Sequence, residues 1–265
     1  MAATAERRPA QGVGEPGQAA AARIRGVWLP LAATATAALG YAAYASAWPS
    51  SQLWGPSMRR LPAGRREIAL TFDDGPSNET SRFLSALERL GVKASFFLCG
   101  ANADRRPDVA RAIADAGHAV GNHSYSHPLL PLCSKARVRE ELARAQDAIV
   151  AATGRRPALF RPPYGLRSPA LPSALSALGL TGVHWTVIGY DWKWSAPRIA
   201  ERVLRRSCPG GIVCLHDGDT VRERASRGET LKAVESIVPR LADRGYRFVT
   251  LPGWEARAGA DPPAA

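Results

Sequence analysis

The sequence predicts an α/β domain built on a mainly parallel sheet and preceded by one membrane-spanning helix. Three observations carry that prediction. Strand-like runs alternate with helical periodicity from Glu67 onward, as βα units do. Polar clusters recur just after the strand-like runs, at one end of such a sheet. No charged residue occurs from Gly26 to Trp48, a length that crosses a bilayer as a helix.

Taken in order, residues 1–22 are Ala, Gly, Pro, Glu and Arg with almost no large apolar side chain, so a disordered tail is expected. Residues 23–48 are expected to be a transmembrane signal-anchor. Trp28 lies near one end of the span and Tyr41, Tyr44 and Trp48 toward the other, as interfacial aromatics would. Arg23 and Arg25 precede it and place the N-terminus inside, which puts the following domain on the extracytoplasmic side. A cleaved signal peptide and a secreted domain are one alternative, because Ala45-Ser46-Ala47 is a small-x-small cleavage site, and a buried soluble helix is the other.

Residues 49–65, with Pro49, Pro56, Pro62 and Gly64, read as an extended linker, residues 66–254 as the folded domain and 255–265 as a disordered tail. Within the domain, strand-like runs lie near 67–72, 94–98, 118–122, 158–160, 182–188, 211–215 and 246–250. Pro107 after Asp104, Ser168-Pro169 and Ser195 before Pro197 mark helix starts, and Gly91, Gly117 and Gly245 mark helix ends. Seven such strands can curl into a barrel or lie open as a doubly wound sheet.

The chain has 265 residues, 46% of them apolar, enough for one sizeable core. Its net charge of +12 would suit nucleic acid, anionic lipid or an acidic polymer. The basic residues are scattered as pairs such as Arg105-Arg106 and Arg205-Arg206, with no dense tract, so no nucleic-acid partner is expected. The cysteines Cys99, Cys133, Cys208 and Cys214 form no C-x-x-C, which argues against a zinc knuckle or a redox pair. Cys99 and Cys214 sit in apolar runs and read as buried free thiols.

The chemistry is concentrated in a few clusters. The apolar run Ile68-Ala69-Leu70-Thr71-Phe72 leads straight into Asp73-Asp74 and the breaker Gly75-Pro76, presenting two acids at a strand end. After the third run, His123 and His127 stand four residues apart, a spacing that on one helical turn puts both on one face to grip a divalent ion. Two histidines and a carboxylate with an open position suit zinc or a similar transition ion. Phe160-Arg161-Pro162-Pro163-Tyr164-Gly165 follows the fourth run, Tyr190-Asp191-Trp192 the fifth and Leu215-His216-Asp217-Gly218 the sixth.

Thr71-Phe72-Asp73-Asp74-Gly75-Pro76, His123-Ser124-Tyr125-Ser126-His127, Arg161-Pro162-Pro163-Tyr164-Gly165, Asp191-Trp192 and Leu215-His216-Asp217, in that order, resemble the NodB-homology polysaccharide deacetylases, carbohydrate esterase family four, over about Arg66 to Leu251. The resemblance implies a distorted seven-stranded (β/α) barrel and metal-dependent removal of N-acetyl groups from chitin-like or peptidoglycan sugars. It implies that Asp74, His123 and His127 ligate one divalent ion, Zn2+ with Co2+ or Ni2+ as alternatives. It makes Asp73 the general base, Arg161 its holder, His216 the general acid and Asp191 the group that orients it. The Tyr164 backbone N–H becomes an oxyanion donor, and Trp192 and Leu215 face the substrate; strand alternation puts Cys214 on the same face as His216, where it lines the acetyl-methyl pocket or, as the lesser alternative, ligates metal. A polysaccharide or oligosaccharide is the implied substrate, and a monomer is expected. The sequence departs from the family pattern at two positions: Ile188 stands where an aspartate is usual and Cys214 where a leucine is usual.

Overall fold

The computed structural model describes residues 53–62, 66–221 and 226–251, with scattered positions between 34 and 51. The chain divides into two compact units, Met1–Tyr44 and Ala45–Ala265. Of the first, the described positions between 34 and 44 are helical. Most of the expected signal-anchor and both expected tails lie outside the described residues; among the described residues no helix is long and apolar enough to cross a membrane.

The second unit is an α/β domain. Its strands are β1 (Glu67–Asp73), β2 (Ser95–Leu98), β3 (Ala119–Asn122), β4 (Leu159–Phe160), β5 (Thr181–Gly182), β6 (Val187–Ile188), β7 (Gly211–His216) and β8 (Arg247–Phe248). Its helices are α1 (Thr80–Arg89), α2 (Gly100–Arg105), α3 (Pro107–Asp115), α4 (Lys135–Thr153), α5 (Leu171–Leu178), α6 (Ala196–Arg206) and α7 (Gly228–Asp243). The sheet runs β5-β4-β3-β2-β1-β7-β6, with β8 added to the start of β1, and its strand pairings are parallel.

The stretch expected as one strand over 182–188 is two strands, β5 and β6, and these are the two ends of the sheet order. Five residue steps join them, at most about 17 Å of extended chain, so the sheet must curl back on itself. Part of the expected linker fills this seam: Met58 bridges Val183, and its N–H donates to the Gly182 carbonyl at 2.8 Å.

Period-two alternation sorts the core into two layers. Ile68, Leu70 and Phe72 of β1, Phe96 of β2 and Val213 and Leu215 of β7 face the helices and pack with Phe83, Ile199, Val203 and Ile237. Ala69, Phe97, Leu159 and Ile212 face the other way and close with Leu61, Val183 and Leu251 into a smaller inner cluster. On that inner side β1 then presents Thr71 and Asp73, and β7 presents Cys214 and His216. The strands thus deliver apolar side chains at their starts and chemical groups at their C-terminal ends.

Candidate active site

The C-terminal ends of β1, β3, β4, β6 and β7 surround a cavity of about 360 Å³, lined by residues that include Asp73, Asp74, His123, His127, Tyr164, Ile188, Trp192, Cys214 and His216. Every sequence-predicted site residue but three lines it. Arg161 stands behind Asp73 and Asp191 behind His216, both fully or nearly fully buried. Leu215 is the correction: it lies on the opposite face of β7, completely buried in the helix-facing core, because one residue of strand reverses the side-chain direction.

The two adjacent acids have different partners. Asp73 Oδ1 accepts from Arg161 Nη1 at 2.7 Å, and the same nitrogen donates to Thr71 Oγ1 at 2.7 Å. The Arg161 guanidinium lies 4.1 Å from the Phe97 ring centroid, so aromatic and polar contacts together fix it where water cannot reach. Asp74 instead turns toward the histidines: its Oδ1 is 3.1 Å from His127 Nε2 and 3.4 Å from His123 Nε2. Burial alone would raise the Asp74 carboxyl, but the two imidazoles and the charge of His216 outweigh it and hold it well below the usual carboxylate range.

The two histidines come from the loop after β3, where Ser124 and His127 have φ of 64° and 57°. The pair is therefore not on a helical turn, as the spacing predicts; the backbone bends instead to bring both rings to Asp74. Glu141, which sequence reasoning missed, holds the bend. It accepts from the backbone N–H of Tyr125 at 3.0 Å, that of Ser126 at 2.8 Å and the Ser126 hydroxyl at 2.7 Å. Its signal was present: on α4 it stands among Val138, Leu142, Ala145 and Ile149, an acid on an apolar stripe.

The donor set fits a cation. His123 Nδ1 lies 2.7 Å from the Arg161 carbonyl, which can only accept, so Nδ1 donates there and Nε2 is the ring atom turned toward Asp74. Asp74 Oδ1 and His127 Nδ1 have no hydrogen-bond partner among the described residues, and the ligand atoms of Asp74, His123 and His127 lie within 4.8 Å of one another.

Across the cavity, His216 Nδ1 is 2.9 Å from Asp191 Oδ1, and its backbone N–H donates to Asp191 Oδ2 at 2.8 Å. The Thr230 hydroxyl donates to the same oxygen at 2.9 Å. Burial would lower the His216 pKa, but the Asp191 charge and hydrogen bond, with Asp74 and Asp73 behind them, raise it to about 9. Trp192, half exposed, meets His216 edge-on with centroids 5.3 Å apart, and Tyr164 meets His127 in the same way at 4.6 Å. Tyr164 has φ 58° on the Pro163–Gly165 turn. His184, also missed by the sequence reading, braces that turn by donating from Nε2 to the Gly165 carbonyl at 3.2 Å. Gly165 is required there: its φ is 68° and an added Cβ would lie 2.4 Å from the Trp185 ring.

With this geometry in place, comparison with known proteins is decisive. The polysaccharide deacetylase family model matches residues 60–183. A peptidoglycan-N-acetylglucosamine deacetylase of Bacillus cereus is 37% identical over 72% of this chain and 69% of its own length. The chain belongs to the polysaccharide deacetylase family. A chitooligosaccharide deacetylase of Bradyrhizobium is 35% identical over 72% of this chain and 91% of the relative. Among solved structures, a pseudoenzyme of carbohydrate esterase family four from Bacillus anthracis superposes with a TM-score of 0.67 at 29% identity, covering 77% of this chain and 70% of that one. Membership of this family of deacetylases accounts for the order of the motifs and for the curled parallel sheet that carries them.

Proposed function

We propose that this chain is a metal-dependent hydrolase that removes N-acetyl groups from N-acetylglucosamine-containing polysaccharide, either peptidoglycan or a chitin-like oligosaccharide. The observation that carries the reading is the division between two adjacent acids: Asp74 converges with two imidazoles while Arg161 holds Asp73 away from them. A divalent cation held by Asp74, His123 and His127, with Zn2+ the first choice and Co2+ or Ni2+ alternatives, supplies Lewis acidity that polarises a carbonyl and acidifies water. Asp73 takes the proton of the attacking water, its carboxylate aimed by Arg161. The Tyr164 backbone N–H donates to the oxygen that gains charge. His216, kept protonated by Asp191, gives its proton to the departing amine. Trp192 and Tyr164 offer aromatic faces to the sugar, and Cys214 faces the acetyl methyl.

Purified protein is expected to release acetate from chitooligosaccharides or peptidoglycan, and Asp73→Ala to lower the rate by a factor on the order of 10²–10⁴. Undiminished turnover in that variant, or after thorough chelation, would sink the reading. A second reading is a glycan-binding module without turnover, which the similarity to a pseudoenzyme of the family supports. Glycan binding without acetate release in any metal would establish it, and a product screen over N- and O-acetylated sugars separates the deacetylase of O-acetyl sugars. The membrane tether, with the barrel on the extracytoplasmic side, is proposed from the uncharged run 26–48 and from the location of such polymers.

A further inference from the structure

Opposite the Asp74 set, a second group of ligand-capable side chains faces the same cavity. Asp73, Cys214 and His216 carry ligand atoms within 4.8 Å of one another, and all three line the cavity. Asp73 and His216 are register partners at the ends of β1 and β7, and Cys214, two residues earlier on β7, points to the same side. The Cys214 thiol donates to Asp73 Oδ2 at 3.4 Å, while Oδ1 is taken by Arg161. Because Asp191 holds His216 Nδ1, Nε2 is the ring atom left to coordinate, and a carboxylate behind an imidazole is the usual way a metal-ligating histidine is oriented. Ile188, the register partner of Cys214 on β6, adds an apolar wall and no competing polar group.

We propose that Asp73, Cys214 and His216 form a second metal site, selective for a thiophilic divalent cation such as Zn2+ or Cd2+, whose occupation switches the enzyme off. Thiolate, imidazole and carboxylate are the donors zinc and cadmium favour, and three from the protein leave a position open. The ion replaces two protons, one from the Cys214 sulfur and one from His216, and both leave to solvent. Two positive charges are exchanged for one doubly charged ion and one newly formed thiolate is absorbed in the same count, so the cavity's net charge is unchanged. Burial, with the Asp73 charge behind it, keeps the proton on Cys214 in the absence of such an ion. Binding depends only on this geometry. Inhibition rests on the reading of Asp73 as base and His216 as acid, since the ion would occupy both.

The test is a Cd2+ titration of the full-length, metal-stripped protein, read by bound metal and by cadmium–thiolate charge-transfer absorption. Two equivalents are expected to bind, with the absorption accompanying one of them. Cys214→Ser should lose that equivalent and that absorption while keeping the other. Acetate release should fall by a factor on the order of 10² or more as the second equivalent binds. Cys99, Cys133 and Cys208 are also free, so absorption that persists in Cys214→Ser would overturn the proposal, as would saturation at one equivalent. His216→Gln provides a second variant should Cys214→Ser not fold; there the absorption must weaken, and unchanged absorption counts against the site. Cys214-dependent absorption in a protein that releases no acetate in any metal would uphold the site and refute the deacetylase reading.

Discussion

Asp73 and Asp74 are chain neighbours whose side chains meet opposite charges of different kinds, a fixed guanidinium for one and two imidazoles for the other. Strand alternation produces the split, because β1 ends at Asp73 and Asp74 already has φ 75°. The same logic governs His216, whose proton is retained chiefly through Asp191. An acid works only while protonated, so the rate should fall as pH rises through the His216 pKa, which is about 9. A cation on Asp74 cancels part of the negative charge that supports this proton, so the descending limb of the metal-loaded enzyme should lie below that value. Asp191→Asn removes the largest supporting charge and should move the limb to lower pH still. A pH profile of kcat for both proteins checks this, and coincident descending limbs would remove His216 from the acid role.

Among elements, the loops after the strands hold the strain. Among the described residues, Asp74, Ser124, His127, Tyr164, Tyr190 and Thr220 are non-glycine residues at positive φ, and each follows a strand that reaches the cavity. Such conformations cost about 1–3 kcal/mol each and persist where surrounding contacts over-determine them. Glu141 is that determinant for the histidine loop. Glu141→Gln keeps the shape but turns an NH₂ toward a group of donors, so the metal affinity should fall about 10–100-fold. A chelator-competition titration measures it, and an unchanged affinity would mean that the loop holds itself. This element also shows where sequence reading stops. The residue types and order of His123 and His127 were legible, but the helical turn predicted for them was not found, because the loop's bend is held by hydrogen bonds that Asn122 accepts from the Ser124 N–H and Glu141 from the Tyr125 and Ser126 N–H groups, and these two acceptors lie outside the motif. Arg161 and Asp191 were legible as motif residues, whereas His184 and Thr230 carry no local signal and act only through contacts made across the fold.

At the scale of the molecule, alternating periodicity made the parallel α/β order readable but left barrel and open sheet undecided, and the motif resemblance implied the barrel; the curl itself depends on 181–188 pairing with β4 at one end and β7 at the other. Alternation along β7 then decides which residues serve chemistry and which serve stability. Leu215 was expected at the substrate, yet it packs against the helices, where an added Cβ on Gly189 would lie 2.3 Å from its Cδ2. Removing its buried side chain leaves a cavity between sheet and helices, so Leu215→Ala should cost about 2–5 kcal/mol of stability. Its neighbours Cys214 and His216 would still face the cavity, so KM for an acetylated oligosaccharide should stay unchanged at temperatures where the variant is folded. Denaturant unfolding and steady-state kinetics on the same preparation separate the two roles: a raised KM with wild-type stability would return Leu215 to the substrate pocket, and lost stability with an unchanged KM places it in the layer that keeps β7 against α6.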